Sequence, residues 1–157
     1  MAKELGEGDP APDFALPTDG GGKASLSGFR GKPVVLYFYP KDDTSGCTAE
    51  AVAFTGLKTA FDAAGAVVIG VSPDSAASHD RFKTKHQLKV ALAADPGRAA
   101  IEAYGVWKEK SMYGRTYFGV ERSTFLIGRD GRIARVWRKV KVPKHAEEVL
   151  KAAQGLP

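Results

Sequence analysis

The chain has 157 residues, a net charge of +5 at pH 7, 43% hydrophobic residues and a single cysteine. That length suits one domain, expected over residues 1–157, able to bury roughly 70% of its unfolded surface, and the composition excludes wholesale disorder. A lone thiol excludes an internal disulfide, a Cys-x-x-Cys redox pair and a thiolate-rich zinc site, which leaves either an inert core cysteine or a reactive thiol dependent on outside help.

Met1–Pro12 carries acids and no apolar stretch, so no secretory signal is visible. Residues 13–27 read as an opening hairpin with Asp19-Gly20-Gly21-Gly22 as its turn. Val34–Tyr39, β-branched and aromatic throughout, predicts a strand buried on both faces, ended by Pro40. It is also the longest purely apolar or aromatic run, far short of the about 20 residues a membrane helix needs, so a cytoplasmic protein with no membrane contact is expected.

The loop 41–46 leads into a helical segment with Phe54, Leu57, Phe61 and Ala64 on one face. Ala66–Val71 predicts a second buried strand, residues 75–87 a helix, and Leu88–Leu92 an alternating strand. Beyond Asp95-Pro96-Gly97, the pattern predicts a short helix over 98–104 and a loop rich in glycine and aromatics through Gly119. Thr124–Ile127 and Ile133–Trp137 flank Gly128-Arg129-Asp130-Gly131, a hairpin turn with an Asp-Gly signal. A last helix places Ala146, Val149, Leu150 and Ala153 on one face, with Glu147 and Lys151 spaced to pair and Gly155 near its C-cap. Strands alternating with helices predict an α/β fold with a central sheet.

The sequence pI of about 9.3 invites a nucleic-acid reading. The basic residues are scattered, however, and Arg129, Arg132, Arg135, Arg138, Lys139, Lys141 and Lys144 are spaced like the wet positions of a hairpin and a loop. No nucleic-acid partner is expected.

Cys47 falls just past a buried strand, at the start of a helix, where unpaired N–H groups and the helix dipole favour a thiolate. Gly46 gives access to the sulfur, and Thr44 can place a hydroxyl near it. The neighbours Asp42, Asp43, Thr44, Ser45, Thr48 and Glu50 are polar, unlike the surroundings of a packing cysteine. Asp42 and Asp43 argue the other way, since nearby anions disfavour a thiolate, so a cation from elsewhere in the chain is required.

The stretch Tyr37-Phe38-Tyr39-Pro40-Lys41-Asp42-Asp43-Thr44-Ser45-Gly46-Cys47-Thr48 resembles the P-x-x-x-T-x-x-C signature of the peroxiredoxins, in the wording of the peroxiredoxin Q or bacterioferritin comigratory protein group. Val71–Ser75, Ser78-His79-Asp80, Tyr113-Gly114-Arg115 and Glu121–Ile127 agree in order and spacing, so the resemblance covers about residues 5–150. It implies a thioredoxin-like fold, a central mixed sheet flanked by helices with an N-terminal hairpin, and thiol peroxidase activity without a cofactor. Carried across, Cys47 is the peroxidatic nucleophile, Thr44 a hydrogen-bond donor to the peroxide, Pro40 a shield for the sulfur and Arg122 the missing cation.

Glu50 has two readings, complementing the helix dipole or orienting that arginine. Arg115 reads as a solvated loop residue, Trp107 and Trp137 as packing or hairpin aromatics, and His79, His86 and His145 as surface or capping residues without metal-ligand spacing.

Many relatives resolve the oxidised thiol with a second cysteine, five residues on or in the next long helix. Val52 and Lys83 stand at those places, and Ser45 stands where many relatives have proline. A one-cysteine cycle follows, recycled by an external thiol such as thioredoxin, glutaredoxin or glutathione, in a monomer or a weak dimer. A thioredoxin-like binding module would share the fold without reacting with peroxide. A disulfide oxidoreductase would need the Cys-x-x-Cys pair that this chain lacks.

Overall fold

The computed structural model describes residues 4–157, so the first three residues of the Met1–Pro12 stretch lie outside the description. Strands β1 (Ala15–Pro17) and β2 (Lys23–Ser25) pair antiparallel around a 3-10 turn at Asp19–Gly21, which is the expected opening hairpin. The main sheet is built from β3 (Val34–Phe38), β4 (Val67–Ser72), β5 (Ala91–Ala94), β8 (Ser123–Ile127) and β9 (Ile133–Trp137), in the order β5-β4-β3-β8-β9. β3, β4 and β5 run parallel, while β8 and β9 are antiparallel additions, so the sheet is mixed.

Every residue of β3 is buried, as its unbroken apolar run requires of a central strand. Alternate side chains enter two cores. Val34, Leu36 and Phe38 pack with Phe125, Tyr104 and Ile101 on one face, and Val35 and Tyr37 pack with Phe54, Phe61 and Val149 on the other. Tyr37 stacks on Phe54 with ring centroids 4.8 Å apart. Its ring also lies over Gly70 of β4, where a Cβ would sit 2.6 Å from the phenol oxygen. Only glycine fits that position.

The helices are α1 (Ser45–Gly56), α2 (Lys58–Ala63), α3 (Ala76–His86), α4 (Ala99–Ala103) and α5 (His145–Gln154). The helical segment after Cys47 is two helices, because Leu57 at φ −104°, ψ 7° leaves helical geometry just after Gly56. Ser75 caps α3 by accepting from the Ser78 N–H, as its residue type favours.

Two expected elements differ. The strand expected over Leu88–Leu92 begins at Ala91, because Gln87 is left-handed (φ 53°) and Leu88 and Lys89 donate backward, to the Lys83 carbonyl and the Thr55 hydroxyl. The expected loop through Gly119 is an antiparallel hairpin, β6 (Trp107–Met112) and β7 (Arg115–Val120), turning on Tyr113 (φ 53°) and Gly114 (φ 76°). Two positive φ values make a type I′ turn, which usually announces itself by Asn-Gly. Tyrosine at the first position, and strands exposed along most of their length, hid the hairpin from pattern reading.

On α5, the spacing of Glu147 and Lys151 leads to no ion pair among those observed. The working acid is Glu148, which receives Arg135 Nη2 at 3.0 Å and Trp137 Nε1 at 3.1 Å. Among the described residues, no helix is long and apolar enough to cross a membrane.

Candidate active site

Antiparallel pairing of Phe38 with Ser123 brings the end of β3 beside the start of β8. The loop leaving β3 delivers Cys47 to the first turn of α1, and Arg122, immediately before β8, arrives over it. Arg122 Nη2 donates to Cys47 Sγ at 3.3 Å and Nη1 to Glu50 Oε1 at 2.6 Å. Glu50 lies one turn beyond Cys47 on the same helix, so a single guanidinium fork spans both. At Gly46 a Cβ would come within 3.2 Å of Arg122 Nη2, so the missing side chain leaves the arginine its path to the sulfur.

Cys47 is 1% exposed and belongs to the apolar cluster of Tyr37, Tyr39, Ala51 and Phe54. The inert and the reactive readings of this thiol therefore meet in one residue, packed like a core cysteine yet held against a cation at a helix N-terminus. Thr44 occupies the N-cap of α1 without capping it; its hydroxyl donates to the Lys41 carbonyl at 2.9 Å. In this structure the Thr44 proton is therefore directed at the loop backbone rather than at the sulfur. Pro40 is half-buried where β3 gives way to the loop.

Glu50 is 1% exposed, and its second oxygen, Oε2, is buried with no hydrogen-bond partner. Burial pushes its carboxyl up to about 7, against the downward pull of Arg122. Burial alone would weaken the hold of Arg122 on its proton, but the charges of Glu50 and Cys47 outweigh it and raise the arginine further. The Tyr37 hydroxyl is buried and also unpartnered, and its burial, reinforced by Glu50 and Cys47, keeps it protonated.

The two aspartates that argued against a thiolate are tied elsewhere. Asp42 accepts from Tyr39 Oη at 2.6 Å, His79 Nδ1 at 2.7 Å and Ser78 Oγ at 2.8 Å. Asp43 meets Lys85 and His86, each at 2.7 Å. Burial disfavours the Asp42 charge, but the hydrogen bonds from His79 and Tyr39 outweigh it and hold its carboxyl below the usual range.

His79 and His145, expected at the surface or in caps, are both buried. His79 bridges Asp42 and, through Nε2, the Ala93 carbonyl at 3.0 Å. Since a carbonyl only accepts, Nε2 carries a proton, and the carboxylate opposite Nδ1 calls for a second one, so His79 is a buried cation. His145 Nε2 lies 2.8 Å from the Thr124 hydroxyl, and burial pushes the ring down to about 4, keeping it neutral. His86 remains at the surface end of α3, facing Asp43.

Val52 is 48% exposed on α1, and Lys83 of α3 donates to Asp19 at 2.7 Å. Trp107 lies under Arg98 and Trp137 under Arg135, each cation 4.5 Å from the ring, in agreement with their reading as packing and hairpin aromatics. Arg115 is exposed at the tip of the β6–β7 hairpin, paired with Met112. The sequence reading missed Lys110, whose amine donates to the Val120 carbonyl and senses the charges of Arg122 and Cys47. Only the hairpin, itself unread in the sequence, brings it there. Among the described residues, no group of three or more His, Cys, Asp or Glu side chains could hold a metal ion.

Known proteins resemble this chain over nearly its whole length. The AhpC/TSA family profile matches residues 7–136, and the chain belongs to that family. Within it, the chain is 48% identical over 156 residues to peroxiredoxin Bcp of Bacillus subtilis, covering 99% of this chain and 98% of that one. The structure of a Xylella fastidiosa PrxQ variant superposes with a TM-score of 0.90 at 42% identity, covering 96% of each chain. Xanthomonas campestris bacterioferritin comigratory protein, studied for alkyl peroxide reduction, gives 0.86 at 45% identity over 90% of each. The thioredoxin-like peroxiredoxin fold implied by the sequence motifs is thereby confirmed. Serine variants of Xanthomonas campestris peroxiredoxin Q replace two different cysteines, the same interval apart as Cys47 and Lys83 are here.

Proposed function

We propose that this chain is a thiol-dependent peroxidase that reduces hydrogen peroxide and organic hydroperoxides through Cys47. The observation that carries the reading is the Arg122 fork joined to Cys47 Sγ at the N-terminus of α1. The thiolate attacks the terminal peroxide oxygen, so the S–O bond forms as the O–O bond breaks. Sulfur is oxidised to a sulfenic acid, and the departing alkoxide takes up a proton and leaves as an alcohol, or as water from hydrogen peroxide. Negative charge moves from sulfur to the leaving oxygen, and Arg122, with the unpaired N–H groups of the first helical turn, is placed to stabilise it. Thr44 orients the peroxide, Pro40 shields the sulfur, and Glu50 holds Arg122 in place.

With Val52 and Lys83 at the two resolving positions, the sulfenic acid closes no internal disulfide. An external thiol (thioredoxin, glutaredoxin or glutathione) attacks it and expels water. A second thiol then releases the mixed disulfide and restores Cys47. Such a cycle suits a reducing cytoplasm and needs no second subunit, in keeping with a monomer or weak dimer. The test is hydroperoxide consumption by the Cys47→Ser variant in the presence of a reducing thiol. Activity is expected to disappear, and retained activity overturns the assignment.

A further inference from the structure

We infer that Cys47 and Glu50 hold one proton between them across Arg122, so that Glu50 is a neutral acid while Cys47 is a thiolate and releases its proton when the sulfur is oxidised. The inference rests on the peroxidase reading for its reaction step and on geometry for the rest. Both acids are 1% exposed, and both bind the same guanidinium through different nitrogens. If both were ionised, the cluster would bury a net negative charge, and each desolvated ion costs several kcal/mol by order of magnitude unless fully compensated. The compensation is incomplete, because Glu50 Oε2 has no partner. A proton on that oxygen removes the uncompensated charge.

The groups around Glu50 favour this distribution. Tyr37 of β3 is a neutral phenol whose hydroxyl is unpartnered, so it supplies no charge. Among the described residues, Arg122 is the cation that acts on Glu50. Lys110 of β6 acts on Cys47 and Arg122 from the Val120 carbonyl, which favours the anion on sulfur rather than on Glu50. His145 of α5 is neutral, and Asp42 is occupied by His79, Tyr39 and Ser78.

Oxidation then balances within the site. Thiolate, hydroperoxide and Glu50 carboxylic acid become sulfenic acid, alcohol and Glu50 carboxylate. The peroxide hydroxyl stays on sulfur, the alkoxide gains the proton that Glu50 gives up, and Arg122 turns from bridging to pairing with a carboxylate alone. The site keeps one anion and one cation before and after.

Infrared spectroscopy of the reduced protein at neutral pH tests the shared proton without peroxide. A protonated-carboxyl C=O band is expected in the wild type. It should be absent from Glu50→Gln and also from Cys47→Ser, where no thiolate competes for Arg122 and Glu50 ionises. Oxidation with one equivalent of hydrogen peroxide in weak buffer, followed with a pH dye, should show no net proton uptake by the wild type and about one proton per sulfur by Glu50→Gln. A wild type without the band, a band that persists in Glu50→Gln, or a wild type that takes up a full proton overturns the inference. A wild type inert to peroxide but showing the band overturns the peroxidase reading instead.

Discussion

Two buried carboxyl groups flank the reactive thiol, and their surroundings are opposites. Asp42, in the loop before α1, receives three side-chain hydrogen bonds and faces a histidinium. Glu50, one turn past Cys47, has a single partner and an orphaned oxygen. Burial acts against the charge of both. At Asp42 the donors win and the acid is strengthened; at Glu50 burial wins and the acid is weakened to about 7. A fully satisfied polar cluster fixes structure, in this case the loop that delivers Cys47, by tying it to α3. A partly satisfied cluster at neutral balance is able to change its charge, which a site that moves negative charge from sulfur to oxygen requires.

The largest expected effect falls on the cation shared by Glu50 and the thiol. Arg122→Met should slow peroxide reduction by roughly 10²–10³-fold or more, the scale of losing a preorganised donor, and should slow alkylation of Cys47 by iodoacetamide at neutral pH. Stopped-flow kinetics and alkylation followed by mass spectrometry check both, and unchanged alkylation would remove Arg122 from its assigned role.

Next comes a matched pair of amides. Asp42→Asn strands the His79 cation in the core and should cost about 3–5 kcal/mol of unfolding free energy. Glu50→Gln keeps the acceptor for Arg122 and replaces a carboxyl that is already neutral in the reduced protein by an amide of the same shape, so its cost should stay below about 1 kcal/mol. Urea denaturation of the two variants decides; equal losses would erase the distinction between the clusters.

The pH dependence sharpens it further. Burial alone would lower His79, but Asp42 raises it above its ordinary value of 6.5. Its contribution is therefore complete below 6.5 and is lost as pH rises through the higher folded value. Asp42 lies below its ordinary 3.8, so its contribution is present above 3.8 and lost as pH falls through the lower folded value. The pair is thus fully effective between those two ordinary values. His79→Gln should flatten the fall in stability on the alkaline side of 6.5; a wild-type slope retained in the variant would place that loss elsewhere.

The two clusters were not equally legible in the sequence. The strand–loop–helix entry to Cys47 is readable because local patterns carry it: an unbroken apolar run at Val34–Tyr39, a stop at Pro40, polar residues and glycine before the thiol. Arg122 came through the family motif, and its place follows from the antiparallel register of β8 on β3, a long-range pairing that no local pattern encodes. The partners of Asp42 and Asp43 were illegible for the same reason. His79, Lys85 and His86 meet the loop only because α3 crosses above it, so two anions that seemed to threaten the thiolate are anchors instead. The β6–β7 hairpin escaped because its exposed strands lack the alternation that burial imposes.

The smallest expected effect tests whether α3 contributes to the site beyond the Asp42 cluster. Lys83, at the resolving position of two-cysteine relatives, is partly exposed and pairs with Asp19, whose other oxygen accepts the Leu92 N–H at 2.9 Å. Lys83→Met removes the ion pair but leaves that backbone bond and the aliphatic stem. The loss should be no more than about 1 kcal/mol, and peroxide reduction should stay within about twofold of wild type, as for a substitution remote from the reacting atoms. Urea denaturation and a peroxidase assay with external thiol read the two quantities separately. A large loss of activity at unchanged stability would show that the contact of α3 with the N-terminal hairpin reaches Cys47, and that anchoring through Asp42 alone does not hold the thiol in place.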